Sequence, residues 1–229
     1  MGMPKIEMRT QMFRGDWDQI WSQMRLLWLM EGLCRVNQTH LRQFDEFKKR
    51  GMVKQSYPPI YRAGLHYETE KGTEIWPDIP SMIAGTMGPG LYPGPWCDCE
   101  DLACARVAEY RELPFHYEKK MKTADGKERL VRADPRFPQE ESAVSGASEG
   151  KDWPGWKKVT GGIKAKPFAK WRRGPQGNYH YHALVLMPDG RLEDPSLVLG
   201  MGREKQFAAE GTAEKMKDAA YPVKLMYAK

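Results

Sequence analysis

The chain has 229 residues, of which 41% are hydrophobic and 29% are charged, and its formal net charge is +6 at pH 7. This length suits one large domain or a small domain with appendages, and the abundance of Trp, Tyr and Phe excludes a disordered chain. No stretch approaches the roughly 18 apolar residues of a membrane span. The start "MGMPKIEMRT" lacks the apolar run of a signal peptide, so we expect no membrane partner and no export.

Two helices are predicted near the N-terminus. Residues 16–31 form the first, capped by Asp16, because apolar side chains recur there at three- and four-residue steps. These side chains are Trp17, Ile20, Trp21, Met24, Leu27 and Trp28. The second helix runs from about residue 38 to residue 50, with Asn37 as its cap and Gly51 at its end. We interpret the first helix as a core element, with docking on another subunit as the alternative.

A helix that begins at Cys99 follows the Pro- and Gly-rich residues 52–95, which are too irregular for a long helix or strand. Asp98 is a good N-cap residue, and Asp101 stands at the third helical position, as in a capping box. Cys99 is therefore the first residue of a helix that Pro114 stops. The positive end of the helix dipole favours a thiolate there, which is what a nucleophilic cysteine needs.

The other cysteines do not suggest a disulfide framework in a chain of this length, which indicates a reducing compartment. Cys104 lies inside the helix between two alanines and is predicted to be buried and inert. A zinc site is the competing interpretation, but Cys97, Cys99 and Cys104 lack the usual ligand spacing. His116, His180 or His182 would have to complete such a site. We expect neither a metal ion nor any other cofactor.

A hairpin is predicted at residues 115–132, with its turn at Asp125-Gly126, and residues 133–178 are predicted to be a loop-rich insertion. Within this insertion, residues 151–178 hold eight basic residues against Asp152 alone, a net charge of +7. The rest of the chain is therefore close to neutral. We interpret this basic segment either as a solvated loop or as a contact for an acidic partner or nucleic acid.

A second predicted hairpin, residues 179–197, carries His182 on its first strand and Asp194 on its second. With the three-residue loop Pro188-Asp189-Gly190, Asp194 shares the face of His182, whereas with a two-residue loop it points away. Pro suits the first position of a type I turn and Gly supplies the left-handed third position, so the sequence predicts the three-residue loop. A short helix near residues 204–219 and a last strand in "YPVKLMYAK" are predicted to follow.

The segments "DCEDLACARVAEYREL" and "YHALVLMPDGRLEDPS" together resemble the transglutaminase-like, papain-related superfamily of cysteine peptidases, and most closely its bacterial transglutaminase-like cysteine peptidase branch. In that family the nucleophile opens a helix after a Gly- and Pro-rich loop, and the catalytic histidine lies on a strand that precedes one ending in Asp-Pro. The resemblance covers residues 96–113 and 179–197. It implies that Cys99 is the nucleophile, His182 the general base and Asp194 the orienting carboxylate.

The resemblance also implies an α+β fold with a papain/transglutaminase-like core, in which the nucleophile helix packs on an antiparallel sheet containing both hairpins. Residues 1–52 would be an N-terminal helical segment, and residues 53–229 the transglutaminase-like domain with the basic insertion 133–178. The implied function is acyl transfer on amide bonds of a protein substrate, as a thiol protease, amidase or transamidase in the cytoplasm. The alternative is an assembly subunit that binds neighbouring protein subunits, with or without activity, such as a virion component if the chain is phage-encoded.

Overall fold

The fold is described by a computed structural model for residues 8–9, 18–54, 56–68, 75–84, 96–122, 126–136, 155–173, 179–201 and 225–227. These residues form helices and mostly antiparallel sheets, so the predicted α+β class is confirmed at that level. None of the described helices is long and apolar enough to cross a membrane. The predicted helix near 204–219 lies outside the described residues.

The elements follow one another along the chain as short strands, four helices and two longer hairpins within the described residues. In order they are β1 (Met8–Arg9), α1 (Asp18–Lys49), a 3₁₀ turn (Ile60–Arg62), β2 (His66–Tyr67), β3 (Ile75–Trp76), α2 (Ile79–Ala84), β4 (Trp96–Cys97), α3 (Cys99–Arg111), β5 (Phe115–Lys122), β6 (Glu128–Ala133), β7 (Lys157–Thr160), β8 (Lys166–Arg173), β9 (Tyr179–Leu186), β10 (Arg191–Glu193), α4 (Pro195–Val198) and β11 (Leu225–Tyr227).

The N-terminal part contains one long helix, α1, where the sequence predicted two. The predicted break at Asn37 was wrong because its side chain does not cap a helix. Its Oδ1 accepts a hydrogen bond from the backbone N–H of Ile79 at 2.8 Å, which ties α1 to α2. The predicted end at Gly51 is confirmed, because Gly51 has a φ of 70° and the N–H of Met52 returns to the carbonyl of Phe47.

The buried face of α1 differs from the predicted stripe. Leu26, Met30, Leu33 and Cys34 are buried and join a cluster with side chains of α3 and β9. Met24, Leu27 and Trp28 are instead 58%, 39% and 80% exposed. The prediction was wrong because this half of the helix is apolar around most of its circumference, so spacing alone does not identify the side that meets α3 and β8. The division at residue 52 stays a prediction.

The two predicted hairpins are present but lie in separate sheets, which corrects the expectation of a single sheet. β5 pairs with β6 in a three-stranded sheet of order β6-β5-β7, whereas β9 pairs with β10 in a four-stranded sheet of order β11-β10-β9-β8. The last apolar segment forms the edge strand β11, as predicted. α3 packs against β9 and β8 of the four-stranded sheet, and against α1 on another side.

The expectation of a loop-rich basic segment was wrong for much of the described residues 155–173, which contain the strands β7 and β8. β7 adds to the free edge of β5, and β8 pairs along the whole length of β9. The segment is therefore ordered by backbone hydrogen bonds to other strands of this chain. The low apolar content of the segment does not reveal such pairing. Basic side chains also suit an edge strand, because their charge opposes pairing with a strand of another molecule.

Two glycines provide a direct test of this packing. A Cβ atom on Gly162, between β7 and β8, would lie 2.1 Å from the carbonyl oxygen of Arg111, whereas a Cβ on Gly32 in α1 would meet nothing within 4 Å. We expect Gly162→Ala to lower the free energy of unfolding by about 1–3 kcal/mol, because the backbone must shift. Gly32→Ala should raise it by up to about 1 kcal/mol through helix propensity. Urea unfolding of both variants checks the opposite signs, and an equal loss in both would contradict this packing.

Candidate active site

Cys99 is the first residue of α3, as the sequence predicted. Asp98 is the N-cap residue, and its backbone N–H donates to Asp101 Oδ2 at 3.3 Å in the predicted capping box. The short strand β4 leads into this cap and pairs with β2 in parallel. Cys99 is 8% exposed, so its side chain lies just below the surface at the N-terminal end of α3.

The Cys99 thiol lies beside Glu100 and the backbone of β9. Its Sγ donates to Glu100 Oε2 at 3.1 Å, and the backbone N–H of Ala183 in β9 is near enough to favour the thiolate. Burial raises the pKa of this thiol strongly, the Glu100 and Asp98 carboxylates raise it further, and the Ala183 N–H opposes them. The expected thiolate is therefore not the favoured form here, because burial and two carboxylates outweigh the helix dipole.

The remaining cysteines, which all lie in the described residues, are buried and form no disulfide bond. Cys104 lies inside α3, and its Sγ donates to the carbonyl of Met30 at 3.3 Å, which confirms the prediction of a buried core cysteine. Its pKa is raised well above the usual value, chiefly by burial and then by the neighbouring Cys34. A protonated thiol inside the core is a poor nucleophile.

The turn between β9 and β10 has the predicted three-residue loop. The N–H of Met187 donates to the carbonyl of Arg191 at 2.8 Å, and the N–H of Gly190 returns to Met187 at 3.0 Å. Gly190 has a φ of 85°, the left-handed position that glycine adopts readily. Leu192 pairs with Leu186, which is the register that turns Asp194 towards His182.

His182 and Asp194 are in direct contact. His182 Nε2 lies 2.7 Å from Asp194 Oδ2, and the carboxylate is 4% exposed. Its other oxygen, Oδ1, accepts the N–H of Leu197 at 3.2 Å and so caps α4. Two bonds from different elements hold the carboxylate in place. Because Nε2–H donates to Asp194, Nδ1 is the ring nitrogen whose lone pair can accept a proton.

Cys99 and His182 reach this site from different elements. Ala183, whose N–H meets Cys99 Sγ, is the residue directly after His182 in β9. The pairing of β9 with β10 stops at Val185 and Glu193, so Ala183 lies beyond the paired part of that edge. We predict that Cys99 Sγ lies within about 4 Å of a ring nitrogen of His182, the range of a loose apo site.

The other histidines do not share these contacts in the described residues. His116, in β5 of the other sheet, has its Nδ1 2.7 Å from the carbonyl of Gly161 and its Nε2 3.2 Å from Glu118 Oε1. The side chain of His180 lies outside the described residues. Among the residues that the structure describes, no group of three His, Cys, Asp or Glu side chains could hold a metal ion.

A buried ionic cluster lies next to the site and was not predicted. Arg106 of α3 is 1% exposed and bonds to Glu193 Oε1 at 2.8 Å and to Asp134 Oδ2 at 2.8 Å. The hydroxyls of Tyr61 and Tyr110 donate to the same Glu193 carboxylate. Because Glu193 precedes Asp194, this cluster fixes the end of β10 against α3.

Sequence reasoning also missed the roles of Glu100 and Tyr181. The Tyr181 hydroxyl donates to Glu100 Oε1 at 2.8 Å, and the same carboxylate receives the Cys99 thiol. Tyr181 is partly buried against the cluster that contains Cys99 and other side chains of α3. The sequence does not reveal its contact with Glu100, because that contact depends on how α3 meets the sheet. Comparisons of the chain with protein-family models, with curated proteins and with solved structures gave no match.

Proposed function

We propose that this chain is a transglutaminase-like cysteine enzyme that transfers acyl groups from amide bonds through Cys99, His182 and Asp194. The observation that carries the proposal is the 2.7 Å contact of His182 with Asp194, on a strand whose next residue, Ala183, has its backbone N–H near Cys99 Sγ. A base oriented by a buried carboxylate, beside a thiol at a helix start, suits nucleophilic acyl transfer. The papain-like arrangement of α3 on the sheet belongs to the same proposal.

The geometry supports the following steps. His182 Nδ1 takes the proton of Cys99 as Sγ attacks the amide carbon, and Asp194 stabilises the imidazolium that forms. The backbone N–H of Cys99, at the first position of α3, is free of helix pairing and can donate to the oxyanion. The imidazolium then protonates the leaving amine, the C–N bond breaks and a thioester remains. Water completes a hydrolysis, whereas a second amine completes a transamidation.

An activated ester tests this proposal without a known substrate. Incubation with p-nitrophenyl acetate should add one acetyl group to Cys99, which mass spectrometry of the intact and digested chain locates. Cys99→Ala should lose the adduct. Adding a primary amine such as cadaverine shows whether amine or water resolves the thioester. Acetylation that is unchanged in Cys99→Ala would end the proposal.

A second candidate function, an assembly subunit, is favoured by one surface. The α1 patch, formed by Met24, Leu27 and Trp28, is exposed on the helix that packs against the basic edge strand β8. Lys166 and Lys170 of β8, and Lys164 shortly before it, are exposed as well. An apolar patch with charged surroundings is a typical feature of protein interaction sites. Its partner would be a neighbouring subunit with an acidic surface.

Charge neutralisation tests this second candidate. We expect that replacing Lys164, Lys166, Arg172 and Arg173 by Gln weakens assembly, because charge pairs with the acidic partner contribute to it and salt screens them. Acylation of Cys99 should be unchanged. Sedimentation at low and high salt measures the assembly. The matched control carries four Gln at Lys48, Lys49, Arg50 and Lys54, in the last turn of α1 and the residues that follow it. If assembly survives at both salt concentrations, the basic segment is only a solvated surface.

A further inference from the structure

Glu100, the residue after Cys99, is 2% exposed. Each of its carboxylate oxygens receives a hydrogen bond from a residue of the candidate site. Oε2 receives the Cys99 thiol at 3.1 Å, and Oε1 receives the Tyr181 hydroxyl at 2.8 Å. Two donors from different elements hold a buried carboxylate in one position. The direction of the Cys99 S–H bond is thereby fixed as well.

We propose that Glu100 is a positioning residue that keeps the Cys99 thiol protonated in the resting site, with Tyr181 fixing its carboxylate. This inference rests on the proposed role of Cys99 as nucleophile. A proton directed at Glu100 Oε2 is not directed at His182 Nδ1. The reaction therefore begins when the S–H group turns from Oε2 to Nδ1. The S–H bond then breaks, an N–H bond forms, and a thiolate and an imidazolium result.

The surroundings of the thiol agree with this role. The titratable groups that act on the thiol include Glu100 and Asp98 at the helix start, and Tyr181 of β9 binds the other oxygen of Glu100. Burial raises the pKa of Cys99, and the Glu100 carboxylate is the largest charge contribution in the same direction. The N–H of Ala183 acts in the opposite direction. Glu100 is therefore the side chain whose replacement should change the thiol most.

A protonated thiol that donates to a carboxylate reacts slowly with small electrophiles, because the thiolate is the nucleophile. The Glu100 contact would thus slow the modification of Cys99 relative to a site without this carboxylate, while the fraction of thiol that has turned to His182 still reacts faster than the more deeply buried cysteines. Binding of an acyl donor would displace the contact and bring the thiol to His182. The consequence to measure is a Cys99 that becomes more reactive when Glu100 loses its charge.

The test is the rate of alkylation by iodoacetamide across pH, resolved for each cysteine by mass spectrometry of the full chain. Glu100→Gln keeps the shape and removes the charge, and we expect Cys99 to react about tenfold faster at pH 7, with the midpoint moved down by about one pH unit. Glu100→Asp retains the charge but moves it away from Sγ. Its effect on the Cys99 alkylation rate should therefore be an increase that is smaller than that of Glu100→Gln. Glu112→Gln, at the other end of α3, should change nothing.

Cys104 serves as the internal reference, because a loosened core would expose both thiols. A faster Cys99 with an unchanged Cys104 supports the proposal. A Cys99 rate that is unchanged or lower at every pH in both Glu100 variants overturns it, and so does a rise shared with Cys104. Acetylation of Cys99 by p-nitrophenyl acetate in the unaltered chain tests the proposed enzymatic function separately. If Cys99 is acetylated but the Glu100 variants do not react faster, only the role of Glu100 is wrong.

Discussion

Replacing His182 by Gln is expected to lower the rate of Cys99 acylation by p-nitrophenyl acetate by about 10²–10⁴-fold, the usual contribution of a general base. The reason is that Nδ1 is the proton acceptor that Asp194 holds ready through Nε2. Stopped-flow release of p-nitrophenol measures the rate. His180→Gln, two residues earlier in β9, is the matched control and should acylate at the original rate. If His180→Gln causes the loss instead, the base has been misassigned.

Asp194→Asn should reduce acylation for a specific reason. Asp194 accepts two hydrogen bonds, from the N–H of Leu197 and from His182 Nε2, but an amide has only one acceptor oxygen. If the amide oxygen caps α4, the amide NH₂ group faces His182 Nε2, and Nε2 must then accept a hydrogen bond with its lone pair. The proton then moves to Nδ1, which no longer accepts the thiol proton. We expect a loss comparable to that of His182→Gln, with little change in the free energy of unfolding because the cap is kept.

Arg106→Met is expected to have the largest effect on stability. It would leave the buried carboxylates of Glu193 and Asp134 without their shared cation, and breaking a buried ion pair in this way costs about 3–5 kcal/mol. Urea unfolding measures the change. Arg42→Met is the matched control, because Arg42 forms two hydrogen bonds with Glu112 at the surface. That exposed pair should contribute less than about 1 kcal/mol, and equal losses would contradict the role of the buried cluster.

The buried cluster also affects how the free energy of unfolding depends on pH in acid. Burial raises the pKa of Asp134, but Arg106 and Arg136 outweigh it and lower the pKa to about 2. This lowered pKa contributes stability that is present above the unfolded value near 4 and is lost as the pH falls through about 2. In Arg106→Met this contribution should shrink, so less stability should be lost between about pH 4 and pH 2 than in the unaltered chain, which unfolding curves between pH 2 and pH 6 would detect.

Local chemistry made parts of the site predictable. Asp98 and Asp101 identify the helix start at Cys99, because capping depends on neighbours along the chain. The Pro188-Asp189-Gly190 loop fixes the register that brings Asp194 to His182. Both features need only a few adjacent residues, and both are present as predicted.

Long-range packing made other parts unpredictable. Arg106 meets Asp134 and Glu193, which lie 28 and 87 positions away along the chain. The exposure of Trp28 depends on which side of α1 meets α3 and β8, and an apolar helix leaves that choice open. The thiol of Cys99 was expected to ionise readily, but its burial and the Glu100 contact act against the helix dipole.

The central claim is that Cys99 is the nucleophile of a site that includes His182. Its most direct test is the alkylation rate of each of the four cysteines in the folded chain, measured by mass spectrometry at pH 8. The account predicts that Cys99 reacts at least about tenfold faster than Cys34, Cys97 and Cys104, and that His182→Gln removes this difference. A Cys99 that reacts no faster than the three core cysteines, or equally fast without His182, would contradict it.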